Sequence, residues 1–100
     1  MTPLEIHDKL GHKPRRRQVE FYEEYSWDGG GGKTHAMAVL ALSRASNGDA
    51  TMVFTRHREN FLEYVRGISE QVGIGDWQKL IDVVGIRHCG GVRCLELIDP

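Results

Sequence analysis

The sequence predicts an α/β fold in which a parallel sheet is flanked by helices and the chain ends in a β-hairpin. Residues 34–44 are apolar on nearly every face of a helix, which is typical of a helix buried against a sheet. Residues 50–55 are a compact β-prone run, and residues 58–72 then carry apolar side chains at helical spacing. Helix, strand and amphipathic helix in this order indicate parallel strands joined by helical crossovers.

The expected hairpin lies near the C-terminal end of the sequence. Two β-prone runs, residues 82–89 and 92–98, flank Gly90-Gly91. A glycine pair between two such runs is a good signal for a two-residue turn. Cys89 and Cys94 lie on either side of that turn. We expect them to be reduced strand residues, because the sequence offers no second pair of zinc ligands.

Length and composition exclude several classes of protein. The 100 residues correspond to one small domain or part of a larger one, with 40% hydrophobic and 27% charged residues. A formal net charge of -1 gives no overall attraction to nucleic acid. No apolar run approaches the roughly 20 residues of a membrane span, and residues 1–5 lack the features of a signal peptide. These observations predict a cytoplasmic protein.

A glycine-rich stretch at residues 29–34 carries the strongest chemical signal. Four consecutive glycines precede Lys33 and Thr34, and the apolar helix follows without a break. The spacing matches the second half of the phosphate-binding pattern G-x-x-x-x-G-K-[ST], although Trp27 stands where the first glycine of that pattern is expected. The alternative is a flexible linker that happens to precede Lys-Thr, but a linker would not predict a helix directly after Thr34.

In a phosphate-binding loop these residue types have defined roles. Backbone amides of residues 30–33 would surround the β-phosphate, and Lys33, the predicted catalytic residue, would reach the β- and γ-oxygens. The Thr34 hydroxyl would bind Mg²⁺. The predicted ligands are therefore ATP and Mg²⁺, and the predicted phosphate-binding residues are Gly29, Gly30, Gly31, Gly32, Lys33 and Thr34.

The segment before the glycines is harder to interpret. Residues 4–10 form a possible short helix closed by Gly11, and residues 13–17 are expected to form an extended basic connector because Pro14 disfavours helix at Lys13. A phosphate-binding loop normally follows a buried strand. Residues 18–28 contain several acidic residues, so we expect a short strand built on their aromatic side chains. The chain is thus predicted to be one partial ATPase domain, with a basic N-terminal connector at 1–17 and a nucleotide-binding core at 18–100.

These features occur in the same order as in a known family. The chain resembles the N-terminal part of the P-loop ATPase domain of tailed-phage terminase large subunits, and the resemblance covers about residues 14–100. That family has a glutamine upstream of a glycine-rich loop, an Ala-rich helix, a strand ending near arginine, an amphipathic helix and a glycine turn followed later by Asp-Pro. The matching positions are Gln18, 30–36, 53–56, 90–95, Asp99 and Pro100.

The resemblance implies an ATP-driven motor that packages double-stranded DNA into a procapsid. Such a motor works as a ring of subunits, with a portal and a small terminase subunit as partners. By position, Gln18 would recognise the adenine. Pro100 stands where a catalytic glutamate would follow the strand ending at Asp99, so we expect the chain to stop before the catalytic acid, and to bind ATP but hydrolyse it poorly.

Two other interpretations stay open from the sequence. One alternative is the front end of another P-loop ATPase, such as a helicase, although the order of the motifs favours the terminase family. The chain is also compatible with a small non-enzymatic α/β protein that binds anions or DNA. The arginines available for such a surface are Arg15, Arg16, Arg17, Arg56 and Arg58.

Overall fold

The computed structural model describes residues 1–27, 31–84 and 95–99. Four α-helices and three β-strands follow one another in these ranges, with a short 3₁₀ turn at Trp77–Lys79 before the second strand. The elements are α1 (Pro3–Leu10), α2 (Arg16–Glu24), α3 (Lys33–Ser46), β1 (Thr51–Thr55), α4 (Arg58–Val72), β2 (Ile81–Val84) and β3 (Leu95–Asp99).

The three strands form one parallel sheet in the order β2-β1-β3. Val53 in the central strand lies opposite Val83 of β2 and Leu97 of β3, and all three side chains are buried. Alternate residues of a strand point to opposite faces, so this row of side chains covers one face of the sheet. The predicted α/β class with a parallel sheet and flanking helices is therefore confirmed.

The predicted C-terminal hairpin is wrong for the strands that the structure describes. β2 and β3 do not pair with each other, because both run parallel to β1 and lie on its two opposite sides. β2 and β3 each pair with the apolar strand β1. These two parallel pairs replace the antiparallel contact between β2 and β3 that was expected from the sequence. Cys89, Cys94 and the Gly90-Gly91 turn lie outside the described residues.

Helix α3 is the centre of the core. Every residue from Ala36 to Ser43 is buried, including the fully buried Met37 and Leu42. The helix packs on α1, α2 and α4 and touches all three strands. The Arg44 side chain near its C-terminal end then donates hydrogen bonds to the Thr51 hydroxyl and the Ala50 carbonyl, both at 2.9 Å, and so joins the helix to the start of β1.

The N-terminal segment is part of this core. Thr2 and Glu5 form a reciprocal capping box at the start of α1, and Gly11 ends the helix with a φ of 83°. Ile6 is fully buried between α1 and the central helices. The expected helix at 4–10 is confirmed, whereas the extended connector expected to continue through Arg17 ends earlier, because α2 begins at Arg16.

The short strand predicted before the glycines is wrong for the residues that the structure describes. Residues 16–24 form helix α2 instead, and Tyr25 ends it with a φ of 58°. The physical reason is the spacing of the side chains: Gln18 and Phe21 are buried three residues apart, while Glu20 and Glu23 are exposed. This spacing places the buried pair and the exposed glutamates on opposite faces of a helix.

The remaining element predictions are confirmed. Helix α3, strand β1 and helix α4 occupy the expected ranges, and Gly73 ends α4 with a φ of 77°. Trp77 is buried and anchors the 3₁₀ turn on the core. Within the described residues, no helix has both the length and the hydropathy of a membrane span.

Replacing Ile6 by alanine tests whether α1 belongs to the folding unit. Ile6 is 0% exposed, so Ile6→Ala is expected to lower the free energy of unfolding by about 2–5 kcal/mol through lost burial and a residual cavity. The matched control is Leu4→Ala on the same helix. Leu4 is 53% exposed, and its substitution is expected to change stability by no more than about 0.5 kcal/mol. Equal effects in urea unfolding followed by circular dichroism would contradict this account of α1.

Candidate functional site

The glycine-rich segment leads directly into the central helix. Gly32 is the N-cap of α3 with a φ of 93°, a backbone conformation that glycine adopts without steric cost. Lys33 is the first residue of the helix and is half-buried. Gly31 is exposed, whereas Gly29 and Gly30 lie outside the described residues. The helix predicted to leave the glycines is therefore present, and its first turn is fixed to the core.

Gln18 lies against this segment. Its side chain is 7% exposed, its Oε1 accepts a hydrogen bond from the Arg15 backbone N–H at 2.9 Å, and its Nε2 donates to the Gly32 carbonyl at 3.5 Å. Gln18 therefore joins the start of α2 to the start of α3. Adenine recognition by Gln18 stays a prediction.

Thr34 lines a small cavity of about 180 Å³ next to the end of the central strand. Thr55, the last residue of β1, lines the same cavity, and its hydroxyl accepts a hydrogen bond from the His57 backbone N–H at 3.1 Å. The other lining residues come from the first half of α4. The N-terminus of α3 thus lies at the carboxyl edge of the parallel sheet, which is where ligands bind in open α/β sheets.

The neighbouring strand ends at the same edge. Asp99, the last residue of β3, lies opposite Thr55 in the parallel register. Parallel strands bring their carboxyl ends together, so β1 and β3 end at the same edge of the sheet.

Two of the arginines considered for an anion-binding surface have partners within the chain. Arg16 forms an ion pair with Glu20 at 3.0 Å one helical turn away. The Arg58 Nε donates to the Val83 carbonyl at 2.9 Å, and the Arg58 Nη1 contacts Glu59 at 3.3 Å. These contacts join Arg16 to Glu20 within α2, and Arg58 to Glu59 and to β2.

A cluster of three histidines is the feature that the sequence did not indicate. His7 of α1, His12 from the turn after α1, and His35 of α3 each place one ring nitrogen within 4.8 Å of a ring nitrogen of the other two. Their ring centroids lie 5.3–5.7 Å apart. We call these three residues the histidine cluster.

Burial controls the protonation of the histidine cluster. His7 is 1% exposed, and burial, followed by the nearby His35 and His12 rings, lowers its pKa from the ordinary 6.5 to about 4. Burial and His12 also lower the pKa of His35. The buried ring of His7 and the half-buried ring of His35 therefore both favour the neutral form, in which one ring nitrogen carries a lone pair.

Some ring nitrogens of the histidine cluster have a hydrogen-bond partner, and others have none. His7 Nε2 lies 2.6 Å from the hydroxyl of Tyr22, a half-buried residue of α2 whose pKa is raised by burial. The buried atoms His7 Nδ1 and His35 Nε2 have no hydrogen-bond partner. A buried polar atom without a partner is uncommon in folded proteins and calls for an explanation.

None of the family models, curated proteins or solved structures compared with the chain matches it. The glycine-rich segment and the histidine cluster, both placed by the first turn of α3, are therefore the two observations from which a function is inferred.

Replacing Gly32 by alanine tests the conformation of the glycine-rich segment. A side chain at a φ of 93° is strained, so Gly32→Ala is expected to destabilise the protein by about 1–2 kcal/mol. The control is Gly67→Ala, at an open position inside α4, where alanine is expected to stabilise the helix by about 0.5–1 kcal/mol. Urea unfolding measures both changes, and a neutral Gly32→Ala would mean that Gly32 does not hold the left-handed conformation.

The depressed pKa of His7 predicts an acid-sensitive fold. Between pH 6.5 and about 4 the unfolded chain binds a proton at this ring and the folded chain does not, so stability falls as the pH falls through that window and is fully present above it. We expect the urea midpoint, measured with a chelator present, to decrease across this range. The decrease should be smaller in His7→Leu and unchanged in a variant of the exposed His57. An identical profile for His7→Leu would contradict the prediction.

Proposed function

We propose that the chain binds the phosphates of a nucleoside triphosphate at the N-terminus of α3, as the nucleotide-binding front end of a P-loop ATPase. The observation that carries the proposal is the position of Gly32 and Lys33. A left-handed glycine caps a buried helix beside the carboxyl end of the central strand, and a lysine is the first residue of that helix.

Electrostatics at this position favour an anion. The first backbone N–H groups of a helix have no partner within the helix, and the helix dipole is equivalent to about half a positive charge there. The Lys33 ammonium adds a full positive charge at the same end. The Thr34 hydroxyl, which borders the cavity, is the group proposed to bind Mg²⁺.

The size of the cavity limits what it holds. Its volume of about 180 Å³ is below the roughly 300 Å³ of the smallest typical ligand pockets, so it accommodates a phosphate group rather than a whole nucleotide. The sugar and base would therefore lie outside the cavity. Gln18, which contacts Gly32 on the side of α2, is the residue proposed to meet the adenine.

Slow hydrolysis accompanies this binding. Phosphoryl transfer needs a residue that positions and activates the attacking water. Among the described residues that line the cavity, none is acidic. We therefore expect the chain to bind the nucleotide but to hydrolyse it slowly.

The particular ATPase proposed is the DNA-packaging motor of the terminase type. Support for this comes from the order of the motifs from Gln18 to Asp99-Pro100, together with the α/β fold and the helix that follows the glycines. Double-stranded DNA, a portal and a small terminase subunit are the partners that this assignment implies.

Titration calorimetry with ATP and Mg²⁺ tests nucleotide binding. Lys33→Ala is expected to weaken binding about tenfold or more, because it removes a charged contact to the phosphates. Thr34→Ala should weaken binding in Mg²⁺ more than binding in a chelator.

Lys79→Ala is the matched control for Lys33→Ala. Lys79 is exposed and lies just before β2, at the amino edge of the sheet and away from the glycines. Its substitution should leave ATP binding unchanged. No heat of binding up to millimolar ATP, or equal losses in the Lys33 and Lys79 variants, would contradict the proposed function.

A further inference from the structure

We propose that His7, His12 and His35 form a binding site for a divalent transition-metal cation of the Zn²⁺ class, with three imidazole ligands. This site is separate from the phosphate-binding role proposed for Lys33 and Thr34, and it does not depend on that role.

The arrangement of the three rings is the first reason. A zinc ion is bound at about 2.0–2.1 Å from each imidazole nitrogen, which places the ligand nitrogens of a tetrahedral site roughly 3.3 Å apart. In the histidine cluster these atoms are already within 4.8 Å of one another. The exposed side chain of His12, which follows the end of α1, is the ligand with the most freedom to adjust.

The unpartnered nitrogens are the second reason. His7 Nδ1 and His35 Nε2 are buried without a hydrogen-bond partner, which costs about 1–3 kcal/mol for such a group. A cation bound by these two lone pairs removes that cost.

The contact with Tyr22 is the third reason. Metal-binding histidines usually donate their second ring N–H to an oxygen atom, which fixes the tautomer and the ring orientation. With Nδ1 of His7 on the metal, its Nε2 carries the proton and donates to the Tyr22 hydroxyl, 2.6 Å away.

The ligand atoms and the access of solvent to the site determine which metal ions it binds. Three neutral imidazoles suit Zn²⁺, Cu²⁺ or Ni²⁺ rather than Mg²⁺ or Ca²⁺, which prefer oxygen ligands. His12 and His35 border a groove of about 510 Å³ whose lining also includes Glu63. This groove lets water reach the cluster as a fourth ligand.

Competition with a chromophoric chelator measures the proposed site directly, on the whole chain without nucleotide. We expect one Zn²⁺ per chain with a dissociation constant in the micromolar range or below. His12→Ala should weaken binding at least tenfold, and it is the informative ligand variant because His12 is exposed and its loss leaves the core intact. Tyr22→Phe should weaken binding about 10–100-fold by removing the oxygen that orients His7.

The control variant is His57→Asn, which removes an exposed histidine outside the cluster and should bind Zn²⁺ as the unmodified chain does. Imidazole NMR resonances give a second readout: Zn²⁺ should shift three of the five histidines. The proposal is overturned if no one-to-one binding is found below about 100 μM, or if His12→Ala and His57→Asn behave alike. Because nucleotide is absent, these results leave the proposed function untouched.

Discussion

The burial of α3 on every side is the constraint on which the rest of the structure depends. A helix with eight consecutive buried residues cannot rotate or slide without exposing apolar surface, so its position against the sheet is fixed. Its first turn is fixed with it. This is why a glycine segment that would otherwise be a simple loop delivers Lys33 and Thr34 to the edge of the sheet, and why His35 meets two residues from the N-terminal segment.

Much of the fold could be predicted from local patterns. α3 is a continuous apolar helix, β1 is a compact β-prone run and α4 has a helical hydrophobic period, and Gly73 marks the end of α4 in the local sequence. The N-terminal helix was predicted from Leu4–Leu10 and Gly11 for the same reason. These signals come from residues that are close in the sequence, so they do not depend on which elements contact each other in the fold.

Two predictions failed, one against a local signal and one where a distant partner decides the structure. The strand expected between Gln18 and the glycines was inferred from what usually precedes a phosphate-binding loop, whereas the helical spacing of Gln18 and Phe21 was the better local signal. The hairpin was inferred from a glycine pair between two β-prone runs. Such runs show that strands form, but not which strand each one pairs with, and β1 became the common partner of β2 and β3.

The two sites differ in how visible they are in the sequence. The glycine-rich segment is contiguous, and its lysine and threonine follow at a fixed spacing. The histidine cluster combines residues 7, 12 and 35 from two helices and a turn, and this spacing matches no familiar metal-binding pattern. Only the packing of α1 on α3 brings these rings together, so the cluster becomes apparent once the fold is known.

His35 directly follows Thr34 on α3, so the two proposed sites share one helical turn. The ring of Tyr64, which borders the cavity beside Thr34, also lies 6.1 Å from the ring of His35. A substitution in this turn therefore acts close to both sites. If either ligand changes the affinity for the other, reciprocity requires the second ligand to change the affinity for the first by the same factor.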